Sequence, residues 1–497
     1  MWKIAENIEY NTEQFERCPL IRRTGFREYD ARWLYPKDIN LLGVQCLGSG
    51  IASQLRELGY TSPRIVVGHD YRSYSTSVKH ALVVGLLASG CEVYDIGLGV
   101  TPMAYFAQFE LKVPAVAMVT ASHNENGWTG VKVGAEPPLT HGPEEMKRLC
   151  EIVMGGHYTT GTGRYTFCPE IAERYVSYLV SRVSLRKPLK VVVSTGNGTA
   201  GAFAPTVLEK VGCEVFKLYC DLDWTFPNYN PNPEDTKMLR SVQDEVLKVK
   251  ADVGFAFDGD GDRIGVVDDQ GEVIYSDKIG LLIARELSRE YSNARFVVDV
   301  KSTGLFKSDV TLRENGASVE YWLTGHSYIK RRVRETQALA GFEKSGHFFF
   351  NEPLGYGYDD ALLSALYICK LLDGRGAKLS ELRKELPKTW QSPTMSPACP
   401  DDRKYAVVAQ VTKIYEEIFR SEGTVCGQKV KELVTVNGVR VVLEDDTWGL
   451  VRASSNIPAL VVVVESPVSE ERMRQMFMEI DSRLRSVGGV GAYDQAL

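Results

Sequence analysis

Three aspartates alternate with glycine in Asp258-Gly259-Asp260-Gly261-Asp262, and Arg263 follows directly. The apolar run before them (Val253, Phe255, Ala256, Phe257) reads as a buried strand, which puts the carboxylates on a turn at a strand end. Carboxylates this close repel one another unless a cation holds them. Glycine gives the turn the freedom to aim all three at one small ion, and oxygen-only ligation favours Mg²⁺. An acidic solvated turn is the plainer reading of a lone Asp-x-Asp pair; the third aspartate, the arginine and three further loops argue for a metal. An EF-hand does not fit, because its sixth position would be Arg263 and its twelfth Asp269.

The first of those loops, Thr120-Ala121-Ser122-His123-Asn124, follows the apolar run Val113–Val119. A serine at a strand end beside His123, with Lys132 downstream, suits a nucleophile or a phosphate carrier. No Gly-x-Ser-x-Gly elbow surrounds it, so a hydrolase triad is not supported. Another loop, Gly341-Phe342-Glu343-Lys344-Ser345-Gly346-His347, is preceded by Thr324-Gly325-His326 and Lys301. Glu343 can accept hydrogen bonds from two vicinal sugar hydroxyls. The last, Arg452-Ala453-Ser454-Ser455-Asn456, offers a guanidinium, two hydroxyls and an amide in the manner of a phosphate cradle. It is no Walker loop, which argues against nucleotide binding.

The elements that must carry these loops repeat. A strand, a helix and a glycine-opened second strand recur from Arg64–Asp70, from Leu189–Thr199 and from Ala294–Gly304. Such right-handed β-α-β units predict an α/β fold of three similar mixed domains in tandem, with a smaller C-terminal α+β domain, around a central cleft. The expected boundaries are 1–168 with the serine loop, 169–271 with the aspartates, 272–390 with the Glu343 loop, and 391–497 with the Arg452 loop. A chain of 497 residues exceeds what one core supports. With 44% hydrophobic and 25% charged residues it reads as an ordinary globular protein, and its net charge of −6 argues against nucleic acid or a membrane surface. Ten cysteines without CxxC pairs, a polar N-terminus and no apolar run of roughly 18 residues fit a cytoplasmic protein without a signal peptide.

Taken in order, the four loops resemble the α-D-phosphohexomutase superfamily, in its bacterial phosphomannomutase/phosphoglucomutase branch, over nearly the whole chain. The segment Phe26–Arg32 is similar to that family's N-terminal YDxRG motif, bringing Tyr29 and Arg32 into the candidate site. The resemblance implies a phosphohexomutase that interconverts hexose 1-phosphates and hexose 6-phosphates of mannose, glucose or both. Ser122 then carries the phosphate and, with Asp258, Asp260 and Asp262, binds Mg²⁺. Arg263, Lys132, His123, Arg32 and His347 serve catalysis. Tyr29, Lys301, Thr324, Gly325, His326, Glu343, Ser345 and His347 face the sugar, and Arg452, Ser454, Ser455 and Asn456 hold its distal phosphate. Hexose 1,6-bisphosphate is the implied intermediate and activator, and phosphosugars are the only partners of a monomer or weak homodimer. Five positions depart from the family pattern: Trp33 for glycine, Glu125 for proline, Phe342 where glycine is frequent, and Ser455-Asn456 for Asn-Thr. The alternatives are a phosphoglucosamine mutase, a haloacid-dehalogenase-type phosphatase using Asp258 as nucleophile, and a non-catalytic phosphosugar-binding relative.

Overall fold

The computed structural model describes residues 2–495 and residue 497. They form two compact units, Met1–Ser276 with Ser345–Ser380, and Asp277–Lys344 with Glu381–Leu497. Among the described residues no helix is long and apolar enough to cross a membrane.

Two mixed sheets build the first unit. The leading sheet runs Ala31–Leu34, Trp128–Gly134, Ala115–Val119, Arg64–His69, Glu92–Leu98, Arg164–Phe167. Its central strands are parallel, while Trp128–Gly134 runs antiparallel to both of its neighbours. All five residues of Ala115–Val119 are buried, as expected of a strand covered on both faces. The following sheet runs Val273–Ile274, Ile264–Asp268, Val253–Phe257, Lys190–Ser194, Glu214–Leu218, and is parallel around Lys190–Ser194. In both sheets the polar loops that matter leave the C-terminal ends of parallel strands, where α/β proteins place their ligands.

The helix Leu41–Glu57 begins at Asn40, whose Oδ1 accepts from Gly43 N at 2.8 Å and from Leu20 N at 2.9 Å. Glycine lets it approach the helix Ser75–Ala88 backbone to backbone. A Cβ on Gly48 would lie 2.2 Å from the Leu82 carbonyl oxygen, and one on Gly85 would lie 1.9 Å from that of Gln45. Gly85→Ala is therefore expected to force the helices apart and destabilise the unit by about 1–3 kcal/mol, the usual range for overpacking. A lowered thermal unfolding midpoint checks this, and an unchanged midpoint contradicts it.

In the second unit the strands Arg295–Asp299, Ser318–Trp322 and Ala340–Phe342 are parallel, with Arg295–Asp299 in the middle. The three strand–helix–strand modules expected from the sequence are thus present. The helical part of the third is split into Leu305–Ser308 and Val310–Glu314, because Asp309 caps the second piece through its bond from Leu312 N. The chain ends in an antiparallel six-stranded sheet whose long strands are Gln428–Val434, Val439–Leu443, Trp448–Ala453 and Leu460–Ser466. The helices Lys404–Arg420 and Glu470–Val487 bury Val411, Tyr415, Met476 and Ile480 against it. Arg440 fastens this sheet to the parallel one. Its Nη1 donates to the carbonyls of Val300 at 2.8 Å and Ser302 at 2.6 Å, and its guanidinium stacks 3.6 Å from the Trp448 ring.

Candidate active site

In the first unit two strand ends meet. Ala115–Val119 leads to Ser122, which is 1% exposed and adopts φ +51°, and Val253–Phe257 leads to Asp258. Ser122 Oγ donates to Asp258 Oδ2 at 2.9 Å and lies 3.3 Å from His123 Nδ1. Asp258 Oδ1 folds the acidic turn by accepting from the backbone of Asp262 at 3.1 Å and Arg263 at 3.2 Å. Glycine is required between the two loops: a Cβ on Gly259 would stand 2.5 Å from the Ser122 carbonyl oxygen.

Asp258, Asp260 and Asp262 are fully buried, and one carboxylate oxygen of each lies within 4.8 Å of the others. Asp260 Oδ2 accepts from Thr101 Oγ1 at 2.6 Å, Lys132 Nζ at 2.8 Å and Thr120 Oγ1 at 3.1 Å. Lys132, from the strand Trp128–Gly134, also pairs with Asp262. Burial opposes charge on Lys132, yet Asp260 and Asp262 outweigh it and hold the ammonium protonated far above the ordinary lysine range. Burial opposes charge on Asp260 as well, but Lys132 prevails and keeps this carboxyl ionised. Burial, with Asp260 and Asp262 as neighbours, pushes the Asp258 carboxyl well up. Asp260 Oδ1 and Asp262 Oδ1, both buried, have no hydrogen-bond partner among the described residues. A buried triad with spare acceptor oxygens could hold a metal ion, and all-oxygen donors suit a hard divalent cation.

Cationic and imidazole groups ring this triad. Arg263 Nε donates to His347 Nε2 at 2.8 Å, and His347 Nδ1 lies 2.9 Å from Asp359 Oδ2. Arg32 donates from Nε to Asp30 Oδ2 and from Nη1 to the Ala121 carbonyl, each at 2.9 Å, and also bonds the Asn124 side chain. Burial pushes His123 well below the usual histidine range, and Arg263 and Arg32 push it further, so it is a neutral ring. Tyr29 is buried beside this group in sequence, next to Asp30. Ser345 and His347 belong to the first unit although Glu343 belongs to the second. At Gly346 φ is +94°, and a Cβ there would meet the Ile264 carbonyl oxygen at 2.4 Å.

The second unit gathers the remaining candidates. Asp299, ending the middle parallel strand, accepts from Thr324 Oγ1 at 3.0 Å and Lys344 N at 3.2 Å, and Lys301 Nζ lies 3.8 Å away. Glu343 Oε1 accepts from Gly325 N at 2.5 Å, and His326 starts the helix His326–Thr336. Lys301, Thr324, Gly325, His326 and Glu343 therefore share one end of one sheet. Arg452 is the penultimate residue of the strand Trp448–Ala453, is 4% exposed and donates from Nη2 to Ser455 Oγ at 3.0 Å. Ser454 Oγ accepts weakly from the backbone of Asn456 and Ile457 at 3.4 Å, and Lys404 Nζ holds the Ser454 carbonyl at 2.6 Å.

The departures from the family pattern are accommodated locally. The Trp33 ring fills the space beside Gly25, where a Cβ would lie 1.9 Å from the indole, and its Nε1 donates to the Arg22 carbonyl at 2.8 Å. Glu125 contributes its backbone carbonyl to the Arg72 guanidinium. Phe342 is a core residue between the Phe296 and Phe306 rings. Sequence reasoning did not single out Thr101, Asp70, Arg72 or Asp359. For Asp70 there was a signal: it closes the strand Arg64–His69 just as Asp258 closes its own.

Four family models match the chain in order. They describe the phosphoglucomutase/phosphomannomutase α/β/α domains I, II and III over residues 23–158, 173–271 and 275–390, and the C-terminal domain over 398–483. A phosphomannomutase/phosphoglucomutase of Pseudomonas putida is 33% identical over 449 residues, 90% of this chain and 93% of that protein. A phosphoglucomutase of Neisseria meningitidis is 31% identical over 462 residues, 93% of this chain and 97% of its own. The crystal structure of a phosphoglucomutase/phosphomannomutase family protein from Burkholderia thailandensis is similar with a TM-score of 0.85 at 30% identity, covering 96% of this chain and 100% of that one.

Proposed function

Since the chain belongs to the α-D-phosphohexomutase superfamily, in its bacterial phosphomannomutase/phosphoglucomutase branch, we propose that it works by lending a phosphoryl group from Ser122 to either end of one hexose. The enzyme is a phosphohexomutase, interconverting hexose 1-phosphate and hexose 6-phosphate of mannose, glucose or both. The observation that carries the mechanism is the buried serine hydroxyl 2.9 Å from Asp258 in a three-carboxylate cluster.

In the resting enzyme Ser122 Oγ bears the phosphate. A hexose 1-phosphate brings its O6 hydroxyl to that phosphorus, the P–O6 bond forms as the P–Oγ bond breaks, and the hydroxyl proton leaves. The product is a hexose 1,6-bisphosphate, which turns about and returns its 1-phosphate to Ser122 Oγ, leaving hexose 6-phosphate. His347 takes the proton at Nε2 once the sugar hydroxyl displaces the bond that Arg263 Nε makes there, while Nδ1 faces Asp359 Oδ2 at 2.9 Å. Lys132 and Arg32 are held charged by Asp260 and by Asp30, so they act as fixed positive charges. His123, kept neutral, positions the serine oxygen. Asp258, Asp260, Asp262 and the serine phosphate would hold Mg²⁺, which supplies charge neutralisation for the transferring group.

Lys301, Thr324, Gly325, His326, Glu343, Ser345 and Tyr29 recognise the sugar in this reading. Arg452, Ser454, Ser455 and Asn456 grip the phosphate that is not reacting. Arg452 carries most of that grip, since its buried Nε has no hydrogen-bond partner among the described residues. Arg452→Ala is expected to raise KM for hexose 1-phosphate about 10–100-fold, the loss of one charge-assisted bond, with a smaller effect on kcat. Steady-state kinetics check this, and an unchanged KM contradicts it. We place the enzyme in the cytoplasm as a monomer or weak homodimer acting on small phosphosugars. A coupled assay offering mannose, glucose and glucosamine 1-phosphates with a trace of hexose 1,6-bisphosphate tests the whole reading. Conversion of the mannose or glucose ester supports it, and conversion of none defeats it.

A further inference from the structure

Ser122 is held in a backbone conformation that serine seldom adopts, φ +51°, in a loop whose carbonyls are turned inward. One arginine on a different loop holds three carbonyls of that turn. Arg72 is 5% exposed, and its Nη2 donates to the carbonyls of Ser122 at 3.0 Å and Asn124 at 2.6 Å. Its Nη1 donates to the carbonyl of Glu125 at 3.0 Å. Asp70 sets the guanidinium by accepting from Arg72 Nε at 3.2 Å through Oδ2, the oxygen that also accepts from Thr120 Oγ1 at 2.9 Å and Ala121 N at 3.2 Å. Ser75 Oγ fixes the other oxygen at 2.5 Å, and the Phe226 ring covers the guanidinium at 5.3 Å. The Ser122 carbonyl is thus enclosed between Arg72 and the Gly259 backbone.

We propose that Arg72, oriented by Asp70, is the positioning residue that keeps Ser122 Oγ aimed at the aspartate triad whether or not it carries phosphate. The inference rests on the mutase reading, for only a serine that gains and loses a dianion every cycle needs a frame independent of that charge. Three carbonyls of one turn call for a rigid fork with several donors, which guanidinium has and ammonium lacks. Arg72 touches no reacting atom; it acts through the loop backbone. An error of about 1 Å at the serine is enough to slow transfer about 10²-fold.

The test uses Arg72→Ala and Arg72→Lys in the full-length enzyme with Mg²⁺ and a trace of hexose 1,6-bisphosphate. In both variants kcat is expected to fall about 10²-fold, with KM for hexose 1-phosphate changed by less than about threefold and phosphate uptake at Ser122 slowed to the same degree as kcat. Guanidinium ion added at millimolar concentration should restore part of the activity of Arg72→Ala and none of that of Arg72→Lys. An unchanged kcat in Arg72→Lys overturns the inference. So does a loss of activity that tracks a fall in melting temperature, raises KM equally and shows no guanidinium recovery in Arg72→Ala, because that is a structural role only. Wild-type enzyme that neither isomerises the sugar phosphate nor takes up phosphate defeats the mutase reading instead, so the two failures are told apart by the wild-type control.

Discussion

Ser122→Ala is expected to lower kcat by about 10⁴–10⁶-fold, the loss seen when a covalent nucleophile is removed from a working site. The magnitude follows from what remains. Water could still attack the sugar phosphate slowly, and the triad, Lys132 and Arg263 would still bind charge, but no group would store the phosphoryl between its two resting places. Loss of the hydroxyl removes one hydrogen bond to Asp258 and leaves the cluster otherwise intact, so the variant should fold and melt close to the wild type. A competing chemistry makes the opposite forecast. If Asp258 were the nucleophile of a haloacid-dehalogenase-type phosphatase, Ser122→Ala would leave turnover largely in place. Steady-state turnover with melting curves on the same sample separates the two.

The second large effect is at the triad. Asp258→Asn is expected to lower turnover by about 10³-fold, the equivalent of several kcal/mol of charge stabilisation lost from the transition state. It should do so without harming the fold. The amide matches the carboxylate in shape, and its oxygen can still take the backbone bonds from Asp262 and Arg263. Burial, with Asp260 and Asp262 as neighbours, already disfavours a charge on the Asp258 carboxyl when no metal is bound, so a neutral amide there carries no electrostatic penalty. The metal-free variant should therefore melt at least as high as metal-free wild type. Added Mg²⁺ should raise the wild-type midpoint, by preferential binding to the folded state, and leave the variant's midpoint unmoved. Equal stabilisation of both proteins by Mg²⁺ would remove Asp258 from the ligand set.

These forecasts were legible in the sequence to different depths. Ser122 and the three aspartates were readable because each follows an unbroken apolar run, Ala115–Val119 and Val253–Phe257, and a polar residue at the C-terminal end of a buried parallel strand has few purposes other than ligand chemistry. Lys132 was readable as a nearby cation, but its place between Asp260 and Asp262 was not. That place depends on the strand Trp128–Gly134 running antiparallel to Ala115–Val119, a pairing local periodicity does not encode. Arg72 was invisible for the same reason. An arginine after a strand is an ordinary surface residue until the fold places the carbonyls of Ser122, Asn124 and Glu125 around it. The loop through Glu343 and His347 reads as one motif, yet His347 packs with Asp262 and Asp359 in the first unit.

The central claim is that Ser122 stores a phosphoryl group. Its most direct measurement is intact-mass analysis with site mapping of the purified enzyme after exposure to hexose 1,6-bisphosphate and Mg²⁺. The expected result is a single phosphoryl group on the peptide that contains Ser122, discharged when excess hexose 1-phosphate is added. Phosphate found on Asp258, or no phosphate on any side chain while the enzyme turns over, would contradict it.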